Sequence, residues 1–319
     1  MTDIEHLKEL HGLPAFEFPA PGEAMPELPA PDTVAWRLAL DPYGDTSDPD
    51  FAGCWERFAA VVDLTGVRAL IIGPWGEVYD NDSGDVVEQL VAARDRLTGL
   101  QAVFIGDLEM EEAEISWIEQ SDVTPLLTAF PGLREFGVRG GTGLRFPPVR
   151  HEGLRTLVFQ TGGLPAQVVR GVAASELPAL EHLELWLGVE SYGGDATVDD
   201  LAPILAGGRF PALRHLALRN SEIQDEIAAA VASAPVVAQV TSLDLSLGVL
   251  TDDGAAALLT GQPLIHLDRL DLHHHFVSEA VVQRVRETLE PAGVKVDLSD
   301  PCEPWESDGR SHRFTSVSE

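Results

Sequence analysis

The chain has little cysteine and no long apolar run. Its 319 residues include two cysteines, Cys54 and Cys302, which cannot build a disulfide framework or a four-thiolate zinc site. No stretch approaches the roughly 20 apolar residues of a membrane-spanning helix. The N-terminus has no basic region followed by an apolar run, so we expect no signal peptide. These absences favour a cytoplasmic protein.

Basic residues are also scarce. Lysine and arginine total 21 against 52 aspartates and glutamates, which gives a net charge of −31, and the only lysines are Lys8 and Lys295. A surface this acidic repels phosphate backbones and anionic membranes. We therefore expect neither a nucleic-acid partner nor a membrane partner. Hydrophobic residues make up 45% of the chain, which is enough for a large core.

One short pattern recurs along the chain, with apolar residues at its first, fourth and sixth positions. Clear copies are LREFGV from Leu133, LRTLVF from Leu154, LEHLEL from Leu180, LRHLAL from Leu213, VTSLDL from Val240 and LDRLDL from Leu267. Looser copies begin at Val67 and Leu100, and AWRLAL from Ala35 and GVKVDL from Gly293 bound the series. Successive starts from Val67 to Gly293 lie 21 to 33 residues apart. Such a period predicts a solenoid of stacked strand–helix units.

This pattern resembles the leucine-rich repeat, L-x-x-L-x-L-x-x-N/C-x-L, and the C-terminal copies resemble its ribonuclease-inhibitor-like subtype. In LRHLALRNSEIQDEIAAAVASAP the strand pattern is followed by Asn220, the apolar Ile223 and an amphipathic helical stretch. The chain also resembles a group of predicted actinobacterial leucine-rich-repeat proteins to which no role is assigned. The resemblance implies an α/β horseshoe of about nine to ten repeats, with a parallel concave sheet and convex helices. It implies a fold and no reaction.

The repeat pattern divides the chain into three parts. They are a Pro-rich N-terminal extension or cap over residues 1–33, the leucine-rich-repeat domain over 34–298 and a polar C-terminal tail over 299–319. Six prolines within residues 14–31 oppose regular structure there. Inserted loops lengthen three repeats at 74–85, 106–123 and 188–200. Such loops either shape a binding site or are simply solvated, and the sequence leaves both readings open.

Three consecutive histidines, His273, His274 and His275, follow the LDRLDL copy. In repeat register they hold positions seven, eight and nine. We expect His273 on the concave face, and we expect the imidazole of His275 to replace the inward asparagine that bonds the loop backbone. Consecutive strand residues diverge, so the three are poorly placed to chelate one ion. A metal site at these histidines is the alternative.

No motif in the chain supports catalysis. The stretch DNDSGD from Asp80 has its glycine one place too early for a calcium loop, and its twelfth position is Val91 instead of glutamate. The stretch HEGLR from His151 is not H-E-x-x-H, and no G-x-S-x-G elbow occurs. We therefore expect a protein that is not an enzyme and has no cofactor and no metal site.

The concave face remains as the candidate site. Its predicted partner-binding residues, at positions three and seven, are Arg139, Gln160, Trp186, Arg219, His182, His215, Arg269 and His273. Neighbouring strands lie ~4.8 Å apart, so these residues form rows. Tryptophan and arginine are the types most enriched in binding hot spots. The rows favour a protein–protein interaction module that binds a protein or peptide partner on the concave sheet face.

Three alternatives to this interpretation remain open. The arginines of the face can simply pair with Glu184, Asp244 and Asp271. The chain can be a small-ligand-binding protein or an enzyme that uses the inserted loops, with His182, His215 and Glu184 as acid–base groups. It can also be a structural scaffold.

Overall fold

The computed structural model describes residues 4–23, 26–40, 48–307 and 309–318. This part of the chain folds as an α/β structure around one 12-stranded sheet. The strands of this sheet are β1 (Glu9–Leu10), β2 (Leu13–Glu17), β3 (Ala35–Leu38), β4 (Ala69–Ile72), β5 (Ala102–Ile105), β6 (Glu135–Arg139), β7 (Thr156–Gln160), β8 (His182–Gly188), β9 (His215–Ser221), β10 (Ser242–Asp244), β11 (Arg269–Asp271) and β12 (Lys295–Asp297). A separate pair is formed by β13 (Trp305–Ser307) and β14 (Arg310–His312).

Eight α-helices occur within the described residues. They are α1 (Phe51–Val61), α2 (Gly84–Ala92), α3 (Thr124–Ala129), α4 (Ala166–Ala174), α5 (Val198–Leu205), α6 (Gln224–Val231), α7 (Asp252–Thr260) and α8 (Glu279–Leu289). Successive helices contact each other from α1 to α3 and from α4 to α8. None of these helices is long and apolar enough to cross a bilayer.

The strands of the large sheet lie side by side in chain order. The first pair, β1 and β2, is antiparallel, and every pair from β2 to β12 is parallel. Because each strand pairs with the next one along the chain, equivalent residues line up across the sheet. Such stacking is consistent with a solenoid.

All ten strand segments expected from the pattern form parallel strands, β3 to β12. The register pairs Ala35 with Ala69, the third position of its copy, so the first copy begins at Thr33 rather than at Ala35. The structure adds β2 inside the segment expected to lack regular structure. Its five residues include a single proline, Pro14, so the prolines of this segment leave room for a short strand.

One apolar core runs along the sheet. Residues at pattern positions four and six, such as Leu183 and Leu185, are fully buried against the helices. Phe16 and Phe18, from the segment expected to extend or cap the repeats, pack at the first end of this core: Phe16 packs edge-on against Trp36 at 5.3 Å, and Phe18 packs against Phe58 at the same distance.

Helix starts largely follow the expected capping chemistry. Asp50 accepts a hydrogen bond from Gly53 N at the start of α1, and Thr197 and Asp200 form a capping box at α5. At α3, Thr124 is the first helical residue, and the carboxylate of Asp122 accepts from its backbone N–H at 3.0 Å.

Candidate binding surface

The sheet has two faces with different surroundings. Side chains alternate along a strand, so positions four and six point into the helix-covered core and positions three, five and seven point to the other side. We call this second side the front face. Its rows include the register partners His182 and His215 at position three, and Trp186 and Arg219 at position seven. All eight predicted binding residues lie on it.

The first half of the front face is covered by residues 4–12, here called the N-terminal segment. The leucines Leu7 and Leu10 of this segment, with Leu13 and Ala15 of β2, pack on a small second apolar cluster. That cluster consists of the front-face residues Ala35, Ala69, Ile71 and Ala102, which are fully buried. The chain therefore covers part of its own sheet with an extended segment.

Polar contacts also hold the N-terminal segment. The imidazole of His6 lies 2.6 Å from Glu112 Oε2, and that of His11 lies 2.7 Å from Glu135 Oε1. The hydrogen bond with Glu112 raises the pKa of His6 and outweighs the opposing effect of burial. Backbone N–H groups of the segment donate to carboxylates of the inserted loop 106–123, as in Leu7 N to Asp107 Oδ1 at 2.9 Å.

Beneath this segment lies a buried group of charges. Asp107 has no exposed surface, and its carboxylate accepts from Arg37 Nε at 2.9 Å and lies 3.7 Å from Arg139 NH1. Arg139 also donates to Gln160 Oε1 at 3.0 Å. Its side chain is 4% exposed, so this predicted binding residue anchors the chain's own segment. A partner cannot reach it while the segment is in place.

The centre of the front face carries a compact charged cluster. Glu184 Oε1 accepts from Trp186 Nε1 at 2.6 Å and from Arg219 NH1 at 3.1 Å. The same guanidinium lies 3.2 Å from Asp244 Oδ2 and 5.4 Å from the centre of the Trp186 ring. Trp186 is buried. The suggested pairing of Arg219 with Glu184 and Asp244 is confirmed. The Trp186 ring packs against the guanidinium of Arg219.

Two histidines stack beside this cluster. The rings of His182 and His215 lie 4.1 Å apart and are nearly parallel. Burial, with the charge of His182, lowers the pKa of His215 to about 4. Burial alone would raise the pKa of Glu184, but the hydrogen bond with His182 and the charge of Arg219 lower it to about 2. At neutral pH the site therefore holds a neutral imidazole at His215 and an ionised carboxylate at Glu184.

The last strands present a second charged group. Arg269 NH2 lies 2.6 Å from Asp271 Oδ2 and 3.5 Å from Asp297 Oδ2, and His273 Nδ1 lies 2.7 Å from Asp271 Oδ1. Burial opposes ionisation of Asp271, but the hydrogen bonds from His273 keep its pKa well below the usual range. Asp271 is 6% exposed and Arg269 is 52% exposed, so the cation reaches solvent and the carboxylate does not.

The three consecutive histidines point into three surroundings. His273 bonds Asp271 as described, which fits its expected place on the front face. His274 Nε2 lies 3.1 Å from Phe314 O. His275 is buried, its Nδ1 accepts from Val277 N at 3.1 Å and its Nε2 lies 3.3 Å from Leu298 O. The expected loop-bonding role of His275 is confirmed, and the three rings do not converge on one point.

At position eight of several copies of the pattern, the backbone adopts the left-handed conformation. Asn220, Leu247, His274 and Asp300 all have φ between 54° and 66°, a region that non-glycine residues rarely adopt. Three of them contact residues 314–318, here called the C-terminal strap. Asn220 exchanges two hydrogen bonds with Val317 at 2.6 and 3.0 Å, and Leu247 O accepts from Ser316 N at 2.8 Å. The end of the polar tail is therefore packed across the turns of the sheet.

The inserted loops pack on one another and on their neighbours. Loop 106–123 supplies the carboxylates that hold the N-terminal segment. It contacts loop 74–85 through Glu119 N and Val78 O at 2.8 Å and through the hydroxyls of Ser83 and Ser121 at 3.0 Å. Loop 188–200 supplies Asp195, whose carboxylate accepts from Ala166 N at the start of α4. These contacts give the loops a structural role in each case.

A cavity of about 760 Å³ opens between the starts of α1 and α2. Loop 74–85 contributes Trp75 and Asp82 to its lining, and Asp50 and Asp85 add further carboxylates. It lies on the helix side of the sheet, away from the eight predicted residues. An acidic lining of this kind repels anionic ligands.

The sequence predicted that the eight residues share one face, and it did not predict the N-terminal segment that covers part of that face. Gln160, His182, His215, Arg219, Arg269 and His273 keep accessible surface, whereas Arg139 and Trp186 are buried. Sequence reasoning did not find Arg37, Asp107, His6 or His11. Their pairing depends on the path of the N-terminal segment across the sheet, and no local pattern encodes that path.

No protein-family model matches the chain, and no curated protein is similar to it. Its fold is similar to the crystal structure of a protein from Bacteroides fragilis, determined by a structural genomics consortium, with a TM-score of 0.75 and 30% sequence identity. The match covers 83% of this chain and 72% of the Bacteroides chain. At this identity and coverage, the chain belongs to the same protein family as the Bacteroides fragilis protein.

Proposed function

We propose that the chain is a leucine-rich-repeat solenoid that acts as a non-enzymatic interaction module. Its front face over β8 to β12, which a horseshoe would make concave, holds an extended segment of a partner protein. The partner segment carries carboxylate side chains.

The observation that supports this proposal is the chain's own N-terminal segment. It lies on the first half of the front face as a bound peptide would, with leucines on an apolar patch and side chains paired to complementary charges. Extended peptides are commonly recognised through such alternating contacts. The second half of the face offers polar and charged side chains with accessible surface, among them His182, Arg219 and Arg269.

The sign of the partner's charge follows from which groups reach solvent. Glu184, Asp244 and Asp271 are between 6% and 12% exposed and already face cations. Arg269 is 52% exposed, and its register partner Lys295 is also exposed. Asp297 on β12 is 39% exposed, so Arg269 and Lys295 are the more exposed charged side chains of β11 and β12 on this face, although the chain as a whole is strongly acidic. Complementary charges set the specificity of such contacts.

Charge reversal on the front face tests the proposal. Arg269→Glu with Lys295→Glu removes the two exposed cations and leaves the buried pairs around Glu184 and Arg219 in place. The matched control is Arg284→Glu with Arg286→Glu, which makes the same change of net charge on the exposed side of α8. Each tagged protein is used to capture partners from the native cell extract, and captured proteins are identified by mass spectrometry.

We expect a partner with an acidic segment to be captured by the wild type and the α8 control and lost with the front-face variant, because like charges across an interface repel. The captured segment, made as a synthetic peptide, should bind the wild type, and its binding should weaken with salt. Equal capture by both variants would refute the assignment of the front face. Loss with the α8 control alone would move the site to the helices.

A further inference from the structure

We propose that His182, Glu184 and His215 form a binding site for one divalent transition-metal ion, with zinc as the reference ion and with an open coordination position toward the front face. The ion-binding reaction needs no partner protein. Its test is therefore independent of the interaction proposed above.

The sheet places the three ligands together. His182 and His215 are direct register partners on β8 and β9, and Glu184 lies two residues beyond His182 on the same face. One ligand atom of each residue lies within 4.8 Å of the others. His182 Nε2 and Glu184 Oε2 are 3.4 Å apart. Zinc bonds of about 2.0–2.1 Å place tetrahedral ligand atoms roughly 3.3 Å apart. Because the two imidazole rings stack nearly parallel at 4.1 Å, binding requires the His215 ring to tilt so that its nitrogen faces the ion.

Hydrogen bonds leave one ligand atom free on His215 and one on Glu184. His215 Nδ1 lies 2.8 Å from Ser242 Oγ, which leaves Nε2 to bind an ion. Glu184 Oε1 accepts from Trp186 and Arg219, which leaves Oε2 on the side of His182. Outer contacts of this kind fix the ligand orientation in metal sites and tune their affinity.

The charges beside the three ligands are balanced. Glu184 and Asp244 both lie within 3.2 Å of the Arg219 guanidinium. The positive charge of Arg219 beside Glu184 opposes a cation, but Asp244 at 3.2 Å offsets it.

The ligand set selects the class of ion. Two imidazoles with one carboxylate suit zinc and its first-row neighbours, whereas magnesium and calcium prefer oxygen ligands alone. Three protein ligands leave one position of a tetrahedral ion for water or for a ligand from outside. The second group of possible ligands, Asp271, His273 and Asp297, is weaker because Arg269 already lies between its two carboxylates.

Calorimetric titration of the untagged, chelator-treated chain with zinc chloride tests this site. We expect the wild type to bind one zinc ion per chain tightly. His182→Gln and His215→Gln should each weaken binding by more than about 100-fold, and Ser242→Ala, which alters only an outer contact, by about 10–100-fold. His273→Gln is the matched control and should bind as the wild type does, which separates this site from the other histidine cluster.

A wild type that does not bind one zinc ion tightly would overturn the proposal. So would unchanged zinc binding in His182→Gln or His215→Gln, or loss in His273→Gln alone. Because a variant can lose its fold, cobalt(II) binding to the wild type gives a second measurement. An intense visible spectrum typical of four-coordinate cobalt with nitrogen ligands supports the site, and the weak spectrum of a six-coordinate ion contradicts it.

Discussion

At the scale of single residues, Asp107 connects three parts of the chain that are distant in sequence. Its buried carboxylate faces the guanidinium groups of Arg37 and Arg139 and also accepts from the backbone of Leu7. The sequence shows only an aspartate that begins an acidic insertion. Nothing local indicates that two arginines from distant strands reach it, because that contact depends on the stacking of whole strands.

We predict that Asp107→Ala lowers the free energy of unfolding by about 3–5 kcal/mol, because it leaves the buried Arg139 guanidinium without its carboxylate partner and leaves Arg37 only the more exposed Glu17 and Glu112. Chemical denaturation measures the change. Glu114→Ala, in the same insertion but exposed, is the control and should change stability by less than about 0.5 kcal/mol. A loss of similar size in both variants would show that the insertion, and not the buried pair, matters.

His215 gives a prediction about pH. Its pKa is about 4 in the folded chain against 6.5 as the ordinary value. Between these values the unfolded chain binds the extra proton, so the stability due to neutral His215 is complete above pH 6.5 and is lost as the pH falls toward 4. Partial solvent screening reduces the effect to roughly 2 kcal/mol.

Unfolding measured in the presence of chelator at pH 7 and pH 4.5 tests this prediction. His215→Gln lacks the titrating group and keeps a polar side chain next to Ser242. The wild type should lose roughly 2 kcal/mol more than the variant between the two pH values. Identical losses in the two proteins would mean that His215 is not held in its neutral form.

Residue roles were predictable only where the repeat fixes them. The place of His275 follows from counting along its copy, and the structure gives it the expected backbone contacts. The burial of Arg139 does not follow from such counting. It shares its row with the accessible Arg219, and the difference between them comes from the N-terminal segment that lies over Arg139.

At the scale of elements, the N-terminal segment and the C-terminal strap pack on parts of the sheet and its turns, and the sequence did not predict either contact. The ten strands were found because each repeats the same apolar spacing. By contrast, β2 lies in a segment dominated by prolines, and the C-terminal strap has polar composition. Both pack through contacts with distant parts of the chain, which composition does not encode.

Truncation of the chain after residue 313, which removes the C-terminal strap, should lower the free energy of unfolding by about 3 kcal/mol. The loss combines the hydrogen bonds to Asn220 and Leu247 with the burial of Val317, less the entropy of ordering the strap. Thermal unfolding of the truncated chain measures it. Arg313→Ala, at an exposed position next to the strap, should leave the melting temperature unchanged. Full stability of the truncated chain would show that the strap only rests on the turns.

At the scale of the whole molecule, the chain pairs a strongly acidic surface with a front face whose most exposed charged side chains over β11 and β12, Arg269 and Lys295, are cationic. The repeat period predicted the parallel sheet and the face on which the candidate residues lie. It did not predict that half of this face is occupied by the chain itself. The net charge of −31 means that the chain as a whole repels anions at long range. Only the arrangement of exposed and buried charged groups shows the sign of the charge at one part of the surface.

The most direct test of the proposed interaction surface is site-specific photo-crosslinking in the native cell. A photoreactive residue is placed at Arg269 on the front face or at Arg284 on α8, two exposed arginines on neighbouring elements. We predict a crosslinked partner from position 269, through a segment containing aspartate or glutamate, and none from position 284. Crosslinking from position 284 but not from position 269 would contradict the account.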